Sequence, residues 1–197
     1  MPDMPLDALS NLNDDALLVL YANGDPAAAR LLTDRLGPRV YAHAARLIGD
    51  RSEAEDIAQE AMLRLWRMAP DWRPGEAKVT TWLYRVTANL CTDRLRKARG
   101  GHKGLDEAAD PADDSPSAAQ AMQDKHRRAA LDAALGQLPE RQRQAVVLRH
   151  IEGLANPEIA EIMEISAEAV ESLTARGKRA LTAILADRRE ELGYRDE

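Results

Sequence analysis

Apolar residues recur at three- and four-residue spacing along most of the 197-residue chain, the period of a helix with one buried face. Ile57, Ala61, Leu65 and Met68 mark one such stripe, and Leu83, Val86, Leu90, Cys91 and Leu95, with Tyr84 beside them, mark another. Strict alternation of Val, Ile, Thr and aromatic residues is missing, so no strand is predicted. Gly24 ends a first helix. Asp25 and Pro26 supply an N-cap and an N1 proline for the second, which runs to about Ile48 with a weak point or break at Gly37-Pro38 and a stop at Gly49. Ser52-Glu53-Ala54-Glu55 reads as a capping box, Ser52 the cap and Glu55 at N3. That helix ends before Pro70. The loop "APDWRPGEAK" follows, and Thr80 or Thr81 starts a long helix to about Arg99.

Residues 100–118, "GGHKGLDEAADPADDSPSA", lack apolar residues apart from Leu105 and Ala, and read as a linker. Helices resume near Ala119 and run to Gly136. Pro139 opens another through Ile151, Asn156-Pro157 caps the next, and Ser166 caps the last. Counted from Asn156, apolar residues fall at places 4, 8, 10, 15 and 18 (Ile159, Met163, Ile165, Val170, Leu173), with the small Ala160 at place 5. This is the spacing of a helix-turn-helix, whose second helix enters the DNA major groove; an amphipathic hairpin is the plainer alternative. The turn position at place 9 is Glu164 rather than glycine, so a left-handed backbone there is expected to be strained. The fold class predicted is all-α: two small helical domains, residues 1–99 and 121–197, on a tether of residues 100–120.

Composition refines this picture. Phe is absent and aromatics total 4 %, so aliphatic side chains and alanine must fill the cores. Cys91 is the only cysteine, which excludes an intrachain disulfide and a multi-cysteine zinc site. Its place in the apolar arc marks a buried structural thiol rather than a redox switch. There is neither a signal-peptide pattern nor an apolar run of about 18 residues, so no membrane span is expected and a soluble cytoplasmic protein is the default.

The net charge of −6 conceals a pattern. Residues 1–60 carry 5 basic and 11 acidic groups, residues 61–104 carry 10 and 3, residues 105–124 carry none and 6, and residues 125–197 carry 12 and 13. Charges farther apart than a Debye length of about 8 Å are largely screened, so the local field is what matters. Within the basic segment, Trp82, Arg85, Asn89, Thr92, Asp93, Arg96 and Arg99 share one side of a helix. Guanidinium groups grip phosphate, Asn reads base edges and Trp stacks on an exposed base, a set suited to melted DNA. A solvated helix face with Trp82 packed in the core is the alternative.

The helix-turn-helix is the acidic counterpart. Asn156–Leu173 holds five glutamates and no Lys or Arg. Phosphate grip would come from Arg176, Lys178 and Arg179, with Arg149 upstream. Six to ten phosphate contacts are typical of strong binders, so this domain is expected to bind weakly without a partner. Catalysis is not indicated. His43, His102, His126 and His150 lie far apart, none belongs to a metal or nucleophile motif, there is no Gly-rich phosphate loop, and no cofactor is implied.

With both halves read, the chain resembles the group IV (extracytoplasmic-function) sigma factors of bacterial RNA polymerase. "SEAEDIAQEAMLRLWR" at 52–67 is similar to the segment that docks on the polymerase β′ coiled coil. "TTWLYRVTANLCTDRLRKAR" at 80–99 is similar to the segment that melts and reads the −10 promoter element. "LPERQRQAVVLRHIEGLANPEIAEIMEISAEAVESLTARGKRAL" at 138–181 is similar to the domain that reads the −35 element. The resemblance implies β′ contacts at Asp56, Gln59, Glu60, Leu63 and Trp66. It implies a −10 surface of Trp72, Lys78, Trp82, Arg85, Asn89, Asp93, Arg96, Lys97 and Arg99. It also implies a −35 surface of Ser166, Ala167, Glu168, Glu171, Ser172 and Arg176, joined by Arg149, Lys178 and Arg179. Core polymerase, through the β′ coiled coil and β flap, promoter DNA and an anti-sigma factor are the partners implied. Family members often carry Lys or Arg where Glu171 and Leu173 stand, a departure that bears on which −35 sequence is read.

The tether of 21 residues spans at most about 70 Å extended and roughly 25 Å as a coil, against about 70 Å for two turns of B-DNA. It reaches two promoter elements if polymerase holds it extended. Asp106, Glu107, Asp110, Asp113 and Asp114 would then imitate RNA phosphates; a merely solubilising linker is the alternative. Two rival functions stay open on sequence alone: a polymerase-independent regulator with a C-terminal helix-turn-helix, and a decoy that binds an anti-sigma protein. The first gives the basic stripe no task. The second has no need of Arg94, Arg96, Lys97, Arg99 and Lys103.

Overall fold

A computed structural model describes residues 9–100 and 118–186. Their regular structure is helical, with no strand among the described residues. The described residues divide into two compact units, 9–100 with Glu161–Met163, and 118–160 with 164–186.

The front unit contains α1 (Asp14–Ala22), α2 (Pro26–Ile48), α3 (Arg51–Met68), a 3₁₀ turn at Ala69–Asp71 and α4 (Val79–Gly100). Its first cap is Asn13, whose side chain accepts from the Ala16 N–H at 2.8 Å. Asp25 caps α2 through Ala27 N–H at 2.9 Å, with Pro26 at the first position, as the sequence predicts. Gly49 ends it in the left-handed conformation at φ 78°.

The break expected at Gly37-Pro38 is not there: α2 runs unbroken with Pro38 inside it. An interior proline costs about 3 kcal/mol. The burial of Leu32, Leu36, Val40 and Leu47 on either side of it outweighs this at roughly 1.5–3 kcal/mol each. The cap of α3 also differs from expectation. Asp50, not Ser52, takes that role and accepts from Glu53 N–H at 2.9 Å. Both are good capping residues, and the earlier one lets the helix begin two residues sooner.

Two apolar clusters hold the front unit. One joins Leu17, Leu18, Leu32, Leu36, Leu65 and Leu83; the other joins Ala44, Leu47, Ala54, Ile57, Ala88 and Cys91. Alanines at 28, 44, 54, 58, 61, 69 and 88 are buried. With no Phe to fill volume, small side chains let the helices close the space instead. Cys91 is buried, its Sγ 4.0 Å from the Ala44 carbonyl oxygen.

The back unit contains α5 (Ala118–Gly136), α6 (Glu140–Val146) running into a π turn at Val147–Ile151, α7 (Asn156–Met163) as far as Ala160, and α8 (Ala167–Ala186). Leu135, Leu138, Val146 and Val147 form its core with Leu131, Ile151, Ala180, Leu181 and Ile184. Helices α6 and α8 meet at Gly177. A Cβ there would lie 2.6 Å from Val146 Cγ2 and 3.2 Å from the Gln142 carbonyl oxygen, so only glycine permits this approach. Pro139 precedes α6 as expected, but Asn156 is the first residue of α7 rather than its cap. Ala155 takes the cap position, and its N–H donates to the Glu158 carboxylate at 3.0 Å.

Candidate nucleic-acid and polymerase surfaces

Helix α4 is positioned from both ends of its sequence neighbourhood. The Val79 N–H donates to the Asp15 carboxylate of α1 at 3.1 Å, a cap supplied from 64 residues away. Tyr84 is buried and packs on the His43 ring at a centroid distance of 4.7 Å. The buried arc comprises Leu83, Tyr84, Thr87, Ala88 and Cys91. Val86, Leu90 and Leu95, predicted for that arc, are half-buried along its edges.

On the other side, Asn89, Asp93, Arg96 and Lys97 are exposed, and Arg85 is half-buried. Arg96 Nη1 lies 3.5 Å from Asp93 Oδ1, both side chains well exposed. Trp82 is half-buried against the front core, as is Trp72 in the preceding loop. Lys78 is exposed just before α4. Arg99 belongs to α4, but its side chain lies outside the described residues, as do Lys103 and the tether acids 106, 107, 110, 113 and 114.

Arg94 was grouped on charge alone with the DNA-gripping residues. The structure turns it toward α3, where it pairs with Glu53 and, at 3.4 Å, with Asp56. Helix periodicity already placed it off the stripe, but nothing in the sequence named its partners. Asp56 and Arg94, with Glu60, Asp93 and Lys97, line one groove of about 340 Å³ between α3 and α4. The residues predicted for polymerase and those predicted for the −10 element therefore meet along a shared seam.

The rest of the α3 surface is mixed. Gln59 is exposed. Glu60 accepts from Arg64 Nε at 2.8 Å, and that bond, with the charges of Arg64 and Arg67, holds its carboxyl below the usual range. Leu63 is 47 % exposed, one of two large apolar side chains so placed among the described residues. An outward leucine one turn from Gln59 and Glu60 is what a docking face requires. Trp66 differs, being half-buried with its ring 4.7 Å from that of Tyr21.

In the back unit the turn between α7 and α8 places Glu164 at φ 53°, ψ 51°, the one non-glycine residue with positive φ among the described residues. The Ile165 N–H closes the turn on the Ala160 carbonyl at 3.1 Å, so hydrogen bonding offsets the left-handed strain. Ser166 caps α8, accepting from Ala169 N–H at 3.2 Å. The exposed side of α8 presents Glu168, Glu171, Ser172, Arg176, Lys178 and Arg179, while Ala167 is half-buried. Glu168 bonds its own backbone N–H and the Ser166 hydroxyl, which lowers its pKa. Arg176 Nε donates to the Ser172 carbonyl at 3.2 Å, and exposed Arg149 donates to the Leu154 carbonyl at 2.8 Å. His150 is lowered by burial, then by the charges of Lys178 and Arg149, so Lys178 and the π turn form one basic edge. Sequence reasoning gives Asn156 only a capping role; in the structure its amide donates to Glu171 at 3.3 Å.

A helical bundle presenting a basic helix beside an acidic one, followed by a helix-turn-helix, is the architecture of a two-module promoter-recognition protein of the sigma-70 type. The Sigma-70 region 2 family matches residues 32–100, and the Sigma-70 region 4 family matches residues 128–181. ECF RNA polymerase sigma factor SigE of Mycolicibacterium smegmatis is 38 % identical over 85 % of the chain, which spans 66 % of that relative. ECF RNA polymerase sigma factor SigW of Bacillus subtilis is 31 % identical, covering 83 % of the chain and 92 % of that protein. The solved structure of CnrH in complex with the cytosolic domain of CnrY superposes with a TM-score of 0.65 at 26 % identity, over 88 % of this chain and 97 % of that one. The chain belongs to the ECF sigma factors, the promoter-specificity subunits of bacterial RNA polymerase. Among the described residues no helix is long and apolar enough to cross a membrane.

Proposed function

We propose that the front unit docks on core polymerase through Asp56, Gln59, Glu60 and Leu63 and opens the −10 element with α4. Trp66 supports the docking face from beneath, since it packs on Tyr21. Arg85, Asn89, Arg96, Lys97 and Arg99 hold the strand backbone and base edges. Lys78, Trp72 and Trp82 flank the unpaired base, the two indoles being anchored in the core. Asp93 orients Arg96. The back unit lays the start of α8 into the −35 major groove, with Ser166, Ala167, Glu168, Glu171 and Ser172 facing bases. Arg149, Arg176, Lys178 and Arg179 face phosphates there. The chain acts in the cytoplasm, where polymerase and promoters are, and performs no covalent chemistry of its own. An anti-sigma protein covers the docking face until released. This is drawn from CnrH, solved with the cytosolic domain of CnrY, and from the exposed Leu63, which suits polymerase and an inhibitor alike.

The observation that supports this reading most is the shared groove, which sets the α3 acids against the basic side of α4. Docking and melting then involve one rigid body. The test is to add the purified full-length protein to core polymerase and map transcript starts across a genome. New specific starts with a common −35 and −10 spacing are expected. No gain over core alone overturns the reading and favours the decoy.

A further inference from the structure

The start of α8 presents two acids outward, Glu168 and Glu171, and their surroundings differ. Glu168 is drawn back on the helix N-terminus by its own N–H and by the Ser166 hydroxyl. Glu171, one turn further on, is held from the side: Asn156 Nδ2, on the first residue of α7, donates to its Oε1 at 3.3 Å. Asn156 is half-buried and Glu171 exposed, so the amide holds one carboxylate oxygen, Oε1, while the side chain stays open to solvent.

A carboxylate accepts hydrogen bonds and donates none. In the major groove cytosine N4 and adenine N6 are donors, whereas guanine offers only N7 and O6 acceptors and thymine an O4 acceptor beside a methyl group. A fixed acceptor therefore attracts two bases and repels the other two.

We propose that Glu171 is a specificity-determining residue of the −35 contact, requiring an amino-bearing base, cytosine or adenine, at one position, with Asn156 as the positioning residue that aims it. The inference rests on the reading of α8 as the −35 helix and adds what that helix selects. A Lys or Arg in the same place would select the opposite bases, so the acid moves the promoter set rather than weakening the domain.

The test uses full-length protein with core polymerase on a promoter library randomised across the −35 element, with transcripts sequenced. Wild type should favour C or A over G or T at one position by about tenfold. Glu171→Gln can donate as well as accept, and should erase most of that preference at the same position while leaving its neighbours unchanged. Asn156→Ala should erode it partially at that position, with an unaltered thermal midpoint, an effect that a purely structural role would not produce. If Glu171→Gln and Glu171→Ala leave every −35 preference as in wild type while initiation persists, the inference is overturned and the reading of α8 stands. If wild type initiates from no library member, the −35 reading falls and the inference with it.

Discussion

Helices α4 and α8 are both proposed to meet nucleic acid, yet they differ in almost every physical respect. The segment containing α4 has 10 basic and 3 acidic residues, and the helix is fastened to three other helices. Helix α8 opens with Glu168 and Glu171, and its cations Arg176, Lys178 and Arg179 begin only in its third turn. A helix that grips and opens DNA needs field strength and rigidity. One that selects an address needs a patterned set of donors and acceptors, and a modest field there keeps non-specific binding low. On the proposed reading, the front unit supplies affinity and the back unit selectivity.

The largest expected effect tests the affinity side. Arg85→Gln, Arg96→Gln and Lys97→Gln together should reduce open-complex formation by roughly 100-fold and flatten the log–log salt dependence by about 2 to 3. Lys178→Gln with Arg179→Gln should cost less at a strong −10 promoter. If the back pair matters more than the front triple, in filter binding across a salt series, the contrast is reversed.

Next comes packing. Gly177→Ala drives a methyl into Val146 and should destabilise the back unit by about 1–3 kcal/mol, seen as an earlier transition in thermal unfolding of the whole chain. Promoters with a poor −35 element should be least affected. A smaller change, of the opposite sign, is expected at the turn. Glu164→Gly relieves a left-handed residue and should stabilise the unit by up to about 1 kcal/mol, read by urea unfolding.

The smallest effect is pH dependence. The pKa of His150 is lowered in the folded state from its ordinary 6.5 by burial and by Lys178 and Arg149. The unfolded chain therefore binds more protons just below pH 6.5, and stability falls as pH drops through that value toward the folded one. His150→Gln should flatten the slope between about pH 7 and 5 in a series of urea midpoints, leaving the front unit's transition unmoved.

Much of this was legible in the sequence because it is local. Asp25-Pro26, Gly49 and Ser166 act at the ends where they stand, and periodicity alone separated the buried Leu83 and Cys91 from the exposed Asn89 and Asp93. The strain at Glu164 followed from one residue in one turn. What escaped depends on partners distant in the chain. Asp15 reaches Val79, Arg94 turns to Glu53 and Asp56, Asn156 reaches Glu171, and Gly177 gives way to Val146. The continuous α2 was missed for a related reason, since local rules price Pro38 but not the core that carries the helix past it. Within the candidate site, which helix faces lie exposed was readable and how their side chains pair was not.

The carboxylate of Asp15 on the Val79 amide has a practical bearing. A shortened protein starting at residue 32, where the Sigma-70 region 2 match begins, would keep α4 but lose the anchor that starts it. Its first turn would unwind beneath Trp82, and a promoter assay on such a fragment would report damage at the cut rather than the worth of the helix.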